Sequence, residues 1–97
     1  MAGTTYHATA ITAWLTDTAG LDPDAARRAG RAVAEAWNAC EFYASATCLP
    51  LAAALTASGR PAAGVDAVAQ ALARRFGTHL HDVPAWDRNP LWRKEIA

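Results

Sequence analysis

Alanine supplies half of the apolar content of this chain, and that most limits what it can fold into. Hydrophobic residues make up 53 % of the 97 positions, but 26 of them are alanine, leaving 25 apolar side chains larger than a methyl group. At this length the chain reads as one domain, 1–97, able to bury roughly 60–65 % of its unfolded surface. Its core must therefore be thin, with backbones in close approach. Alanine at this density favours helix, and the β-branched residues are too scattered to alternate over a strand-length window. The expected fold is all-α: a small bundle of four to five helices with a Trp-containing C-terminal tail.

Local signals place the helices. The first is expected from about Thr5 to Thr18, capped by Thr4 or Thr5, with Ile11, Trp14 and Leu15 at helical spacing and Gly20 as its stop. Asp22-Pro23-Asp24 combines an N-cap acceptor, a proline at N1 and a carboxylate at the positive helix end. A long second helix is expected there, with Ala26, Ala29, Val33, Trp37, Cys40, Ala44 and Cys48 on one face. Arg27, Arg31, Glu35, Asn38, Glu41 and Ser45 lie opposite.

Pro50 predicts a kink or break near Cys48-Leu49, then a short third helix through Leu51, Leu55 and Ala57, ended by Gly59. A fourth helix opening at Arg60-Pro61 carries Val65, Val68, Leu72 and Phe76, with Arg74 and Arg75 in its last turn and Gly77 after it. From Thr78 onward alanine nearly vanishes. Segment 78–97 is expected to be a C-terminal loop and a short helix, begun by Asn89-Pro90, packing on the bundle or on a partner.

Nine Lys and Arg balance nine Asp and Glu, which disfavours a general phosphate-backbone binder or an anionic-membrane role. Eight of the nine cations are arginine, which with the abundant alanine resembles the codon bias of a high-GC bacterial genome. The longest charge-free stretch, Phe42 to Gly59, approaches membrane-spanning length. It contains Ser45, Thr47, Pro50, Thr56 and Ser58, so it is read as a buried helical hairpin rather than a membrane span. No cation precedes the apolar residues of segment 1–16, so no signal-peptide n-region is expected. The expectation is a cytoplasmic protein with two reduced thiols.

The candidate sites are few. Cys40 and Cys48, eight residues apart, lack a CxxC spacing and neighbouring ligand pairs, and are expected to be buried and inert. His79, His81 and Asp82, with Asp87 beyond, are residue types that zinc, nickel or iron accept. Two-residue spacing points the imidazoles in opposite directions, so they are read as loop histidines with Asp82 as a cap, and no metal or cofactor is expected. Glu35 and Glu41 with Asn38 are read as a solvated helix face rather than an acid–base pair. No catalytic motif is present, and a non-enzyme is favoured.

Two binding readings survive. Leu55, Gly59, Val65 and Val68 have the spacing of a helix-turn-helix, whose second helix would offer Gln70 and Arg74 to base edges. A plain helical hairpin explains the same spacing. In the tail, Trp86 and Trp92 lie among Arg88, Leu91 and Arg93, and tryptophan and arginine are the residue types enriched at binding hot spots. A thin alanine-lined bundle is also short of driving force, since apolar burial yields only about 25 cal/mol per Å². The favoured expectation is a small helical protein–protein interaction or accessory module. It would self-associate or bind a larger protein, making contact through its second helix and tail; the alternative is a DNA-binding regulator.

Overall fold

Asp22 accepts hydrogen bonds from the backbone N–H groups of Asp24 and Ala25, both at 3.1 Å, while Pro23 occupies a position that needs no N–H. That cap begins the helix around which the others are placed. The computed structural model describes residues 5–80 and shows an all-α fold. Its helices are α1 (Ala8–Asp17), α2 (Pro23–Asn38), α3 (Ala44–Ala57) and α4 (Val65–Arg75), with a 3₁₀ turn (Ala62–Gly64) before the last. Each helix packs mainly on its neighbour in sequence: α1 on α2, α2 on α3, α3 on α4. The expected final helix after Asn89-Pro90 lies outside the described residues.

The crossing of α1 and α2 depends on a missing side chain. A Cβ on Gly30 would meet Thr12 Oγ1 at 2.2 Å, the Thr12 backbone nitrogen at 3.1 Å and the Ala8 carbonyl at 3.2 Å. Ala26, one turn before Gly30, and Ala34, one turn after, are also buried. Small residues at four-residue intervals therefore let the two backbones approach closely, and Ile11, Leu15 and Val33 close the space around them without exposure.

The second helix ends ten residues before Cys48, which corrects the expected long helix and the expected break near Cys48-Leu49. Cys40 adopts a left-handed conformation, φ 61°, while the Glu41 N–H bonds the Ala36 carbonyl at 2.8 Å and the Cys40 N–H bonds the Trp37 carbonyl at 3.0 Å. This is a Schellman stop with cysteine in the place glycine usually takes. The same pair of bonds ends α3 at Gly59 and α4 at Gly77.

Pro50 lies inside α3 instead of ending it. An interior proline costs about 3 kcal/mol. Thr47 and Cys48 before it, and Leu51, Ala52 and Leu55 after it, are almost wholly buried, and each buried leucine contributes about 1.5–3 kcal/mol, enough to offset the proline.

Two further boundaries move. The first helix begins at Ala8, after His7, and not at Thr5. Asn38 explains this: its Oδ1 accepts the Tyr6 N–H at 2.7 Å and its Nδ2 donates to the Tyr6 carbonyl at 2.8 Å, holding that residue outside the helix. The fourth helix begins at Val65 rather than at Pro61, because a 3₁₀ turn intervenes. At the other end of the bundle Ser58 Oγ accepts the Asp22 N–H at 2.9 Å, and the Arg60 guanidinium donates to the Ala19 carbonyl. Both ends of α2 are thus tied to other segments.

The core's bulk comes from Trp37, 1 % exposed. Its indole Nε1 donates to Thr47 Oγ1 at 2.9 Å, and Thr47 is the one buried polar side chain among the described residues. Tyr6 and Phe76 meet the indole edge-on with ring centroids at 5.1 and 6.4 Å, and Phe42 lies tilted at 6.2 Å.

Two substitutions test this packing. Gly30→Ala gains about 1 kcal/mol of helix propensity, but overpacking costs about 1–3 kcal/mol. Because two of the three contacts are backbone atoms, the cost falls toward the upper end of that range, and a urea midpoint is expected to fall by the equivalent of up to about 2 kcal/mol. Gly64→Ala, with nothing within 4 Å of the added atom, serves as the neutral control. Thr47→Val keeps the shape but leaves the buried indole N–H unpaired, at a cost of about 1–3 kcal/mol by the same assay. Thr47→Ser is expected to retain most of the stability.

Candidate interaction surface

The α3 sequence, ASATCLPLAAALTA, contains no charged residue in 14 positions. A helix apolar on every side is normally buried on every side. Here one side is: Ala44, Thr47, Cys48, Leu51, Ala52, Ala54 and Leu55 face α2 and α4. The opposite side consists of half-buried Ala46, Leu49 and Pro50 and exposed Ser45, Ala53, Thr56 and Ala57. Positions 46, 49, 50, 53 and 57 follow helical spacing and form one apolar stripe. The expected buried hairpin is therefore buried on one face only.

The stripe continues into a cleft between α2 and α3. This hollow of about 230 Å³ is walled by Ala25, Ala29, Pro50, Ala53 and Ala54, with Arg28 at its edge. Thr47 at the start of α3 meets Trp37 near the end of α2, while Ala53 and Ala54 lie by Ala25 and Ala29. The two helices are therefore antiparallel. Beside the cleft α2 exposes Arg27, Arg28, Arg31 and Glu35. Arg27 pairs with Asp24 at 2.9 Å, a solvent-exposed bridge of small energetic value. Arg28, Arg31 and Glu35 have no ion-pair partner among the described residues.

The other candidate residues are distributed differently from expectation. Gln70, Arg74 and His79 line a second, shallower groove of about 120 Å³ with Ala73, Thr78 and Leu80. Gln70 is engaged within its own helix, its Nε2 donating to Asp66 Oδ1 at 3.1 Å. The connection between α3 and α4 spans residues 58–64 and includes the 3₁₀ turn, longer than the three or four or so residues of a helix-turn-helix turn. Asp66 also places a carboxylate in the first turn of α4, where a phosphate backbone would approach a recognition helix. Asn38 is committed to the Tyr6 backbone, and Glu35 and Glu41 are both exposed. Trp86, Arg88, Leu91, Trp92, Arg93, His81 and Asp82 lie outside the described residues. Among the described residues no group of three His, Cys, Asp or Glu side chains could hold a metal ion, and no helix is long and apolar enough to cross a membrane.

The thiols correct one expectation: Cys48 is buried, but Cys40 is exposed, because the chain turns at Cys40 instead of continuing as helix. Burial, with a smaller contribution from the Asp66 carboxylate, pushes the Cys48 thiol up from 9.0 to about 12. It stays protonated in the folded protein at neutral pH.

With an all-α architecture, an uncharged helix face and an alanine-walled cleft established, comparison adds no relative. The chain matches no family model, no curated protein and no solved structure.

The thiol difference is directly measurable. At pH 8 a disulfide reagent is expected to modify Cys40 quickly and Cys48 only on unfolding, so Cys40→Ala leaves no fast-reacting thiol. Since the folded Cys48 pKa lies above the unfolded one, its contribution to stability is complete below pH 9 and declines toward pH 12. Denaturation at stepped alkaline pH reads that decline.

Proposed function

We propose that this chain is a small helical interaction module, acting by self-association or by docking on a larger protein. The outward face of α3 carries the reading: an uncharged, largely apolar helix side beside an alanine-walled cleft. Exposed helix faces normally carry charged side chains that maintain solubility, and α2 does so with Arg27, Arg28, Arg31 and Glu35. Zero net charge supports association, since no long-range repulsion opposes approach of a like or unlike neutral surface. Tail residues Trp86, Arg88, Leu91, Trp92 and Arg93 extend the proposed contact by their chemistry, each large enough to anchor a buried patch. A soluble cytoplasmic setting belongs to the same proposal.

Mass in solution tests it. Recovered from its native cell under mild conditions, the chain is expected above its monomer mass of 10.2 kDa, paired with itself or with a stoichiometric second protein. Ala53→Glu or Trp92→Ala is expected to reduce that mass while the circular dichroism of the helices is unchanged. A 10.2 kDa species with nothing attached, across a hundredfold range of concentration, overturns the reading.

A further inference from the structure

We infer that Trp86 of the same chain docks in the cleft between α2 and α3, seating the start of the C-terminal segment against the α3 face; this rests on the reading of that face as a contact surface. The cleft is apolar, with walls of Ala25, Ala29, Pro50, Ala53 and Ala54. At about 230 Å³ it is smaller than the roughly 300–1,000 Å³ of small-molecule sites, which suits one large side chain rather than a cofactor. A methyl-walled hollow forfeits dispersion contacts until something bulky fills it. Segment 81–97 holds that bulk, with two of the chain's four tryptophans and only two alanines in 17 residues.

Charge chooses between the two tryptophans. Residues 81–87 carry Asp82 and Asp87 and no Lys or Arg, whereas residues 88–97 carry Arg88, Arg93 and Lys94 against Glu95 alone. With His81 neutral, Trp86 belongs to a stretch of net charge −2 and Trp92 to one of +2. The rim of the cleft is cationic. Arg28 lies at its edge and Arg31 follows one turn on, both exposed and without an ion-pair partner among the described residues. Asp24, one turn before Arg28, is engaged by Arg27. Opposite signs therefore favour the acidic stretch with Trp86, and like signs oppose the basic stretch with Trp92.

The connection is long enough and short enough. Phe76 meets the Trp37 ring, and that indole bonds Thr47, so the chain leaves α4 at the level of the first turn of α3. Pro50 lies about 5 Å farther along α3. The six residues from Leu80 to Trp86 span up to about 20 Å, while packed helices lie about 8–10 Å apart, so Trp86 reaches past the N-terminal half of α3 to the cleft. A short tether holds its end at an effective concentration of about 1 mM, above that of a separate molecule at micromolar levels. The tether thus selects this occupant over a second copy or a different protein. With Trp86 seated, Trp92 stays six residues from the α3 face and is left for the partner.

Fluorine NMR of the full chain carrying 5-fluorotryptophan tests this, with each resonance assigned by replacing one tryptophan with phenylalanine and its exposure read from the shift between H2O and D2O. Trp86 is expected to be shielded and Trp92 exposed, unchanged on about tenfold dilution. Ala53→Glu puts a charge in the cleft wall and is expected to expose Trp86 while the Trp37 resonance, which reports on the core, stays in place. Ala13→Glu, on the exposed side of α1, is expected to move neither. A Trp86 as exposed as Trp92, a shielded Trp92 in its stead, or shielding that Ala53→Glu leaves intact overturns this docking. Shielding that fades on dilution assigns the cleft to a second copy and overturns it as well. The interaction-module reading is decided separately, by the mass of what is recovered from the cell.

Discussion

The hydrogen bond from the Trp37 indole to Thr47 is the contact on which the rest of the arrangement depends. In a core built mostly of methyl groups, one buried indole supplies volume that several alanines cannot, and it also carries a polar hydrogen that must be satisfied away from water. Thr47 is the acceptor only because α2 stops at Asn38 and the chain reverses before Ala44. Had the helix run on to Cys48, Thr47 would have lain some ten residues farther along the same rod. The helix stop at Cys40, the reversal through Phe42 and the antiparallel seating of α3 are thus linked to one another through that bond.

Much of this was legible in the sequence, and the parts that were not share a physical cause. Asp22-Pro23-Asp24 specifies a helix start by local chemistry, and Gly59 and Gly77 mark stops because glycine enters the left-handed region without a steric penalty. Cys40 occupies the same conformation with a Cβ, so the stop leaves no compositional mark. Pro50 misleads in the opposite direction: its local cost is real, but the buried residues on either side outweigh it. Gly30, unremarkable in a sequence of alanines, is explained only by Thr12 and Ala8 on another helix. Where the deciding partner is distant in sequence, local reading fails.

The candidate surface follows the same rule. The absence of charge from Phe42 to Gly59 was visible, and burial was the natural inference from it. Only the seating of α3 between α2 and α4 reveals that seven of its positions face the core and the others do not. Asn38, read with Glu35 and Glu41 as part of a solvated helix face, also serves as a clamp on backbone 32 residues away, which no local pattern shows. Each side chain's role is set by what the topology places across from it.

Because each helix packs mainly against the one that precedes or follows it, order along the chain and order in space nearly coincide. Such an arrangement asks for few long loop closures before packing begins to reward them, and proteins of this kind fold in about microseconds to milliseconds. It also makes the molecule uneven in its resistance to opening. The pair α1 and α2 is held by a close backbone crossing and clamped at both ends, whereas α4 rests mainly on α3 and on the ring contact of Phe76 with Trp37. Among the described helices amide exchange should therefore reach α4 earliest, so α4 can loosen while α1, α2 and α3 stay assembled.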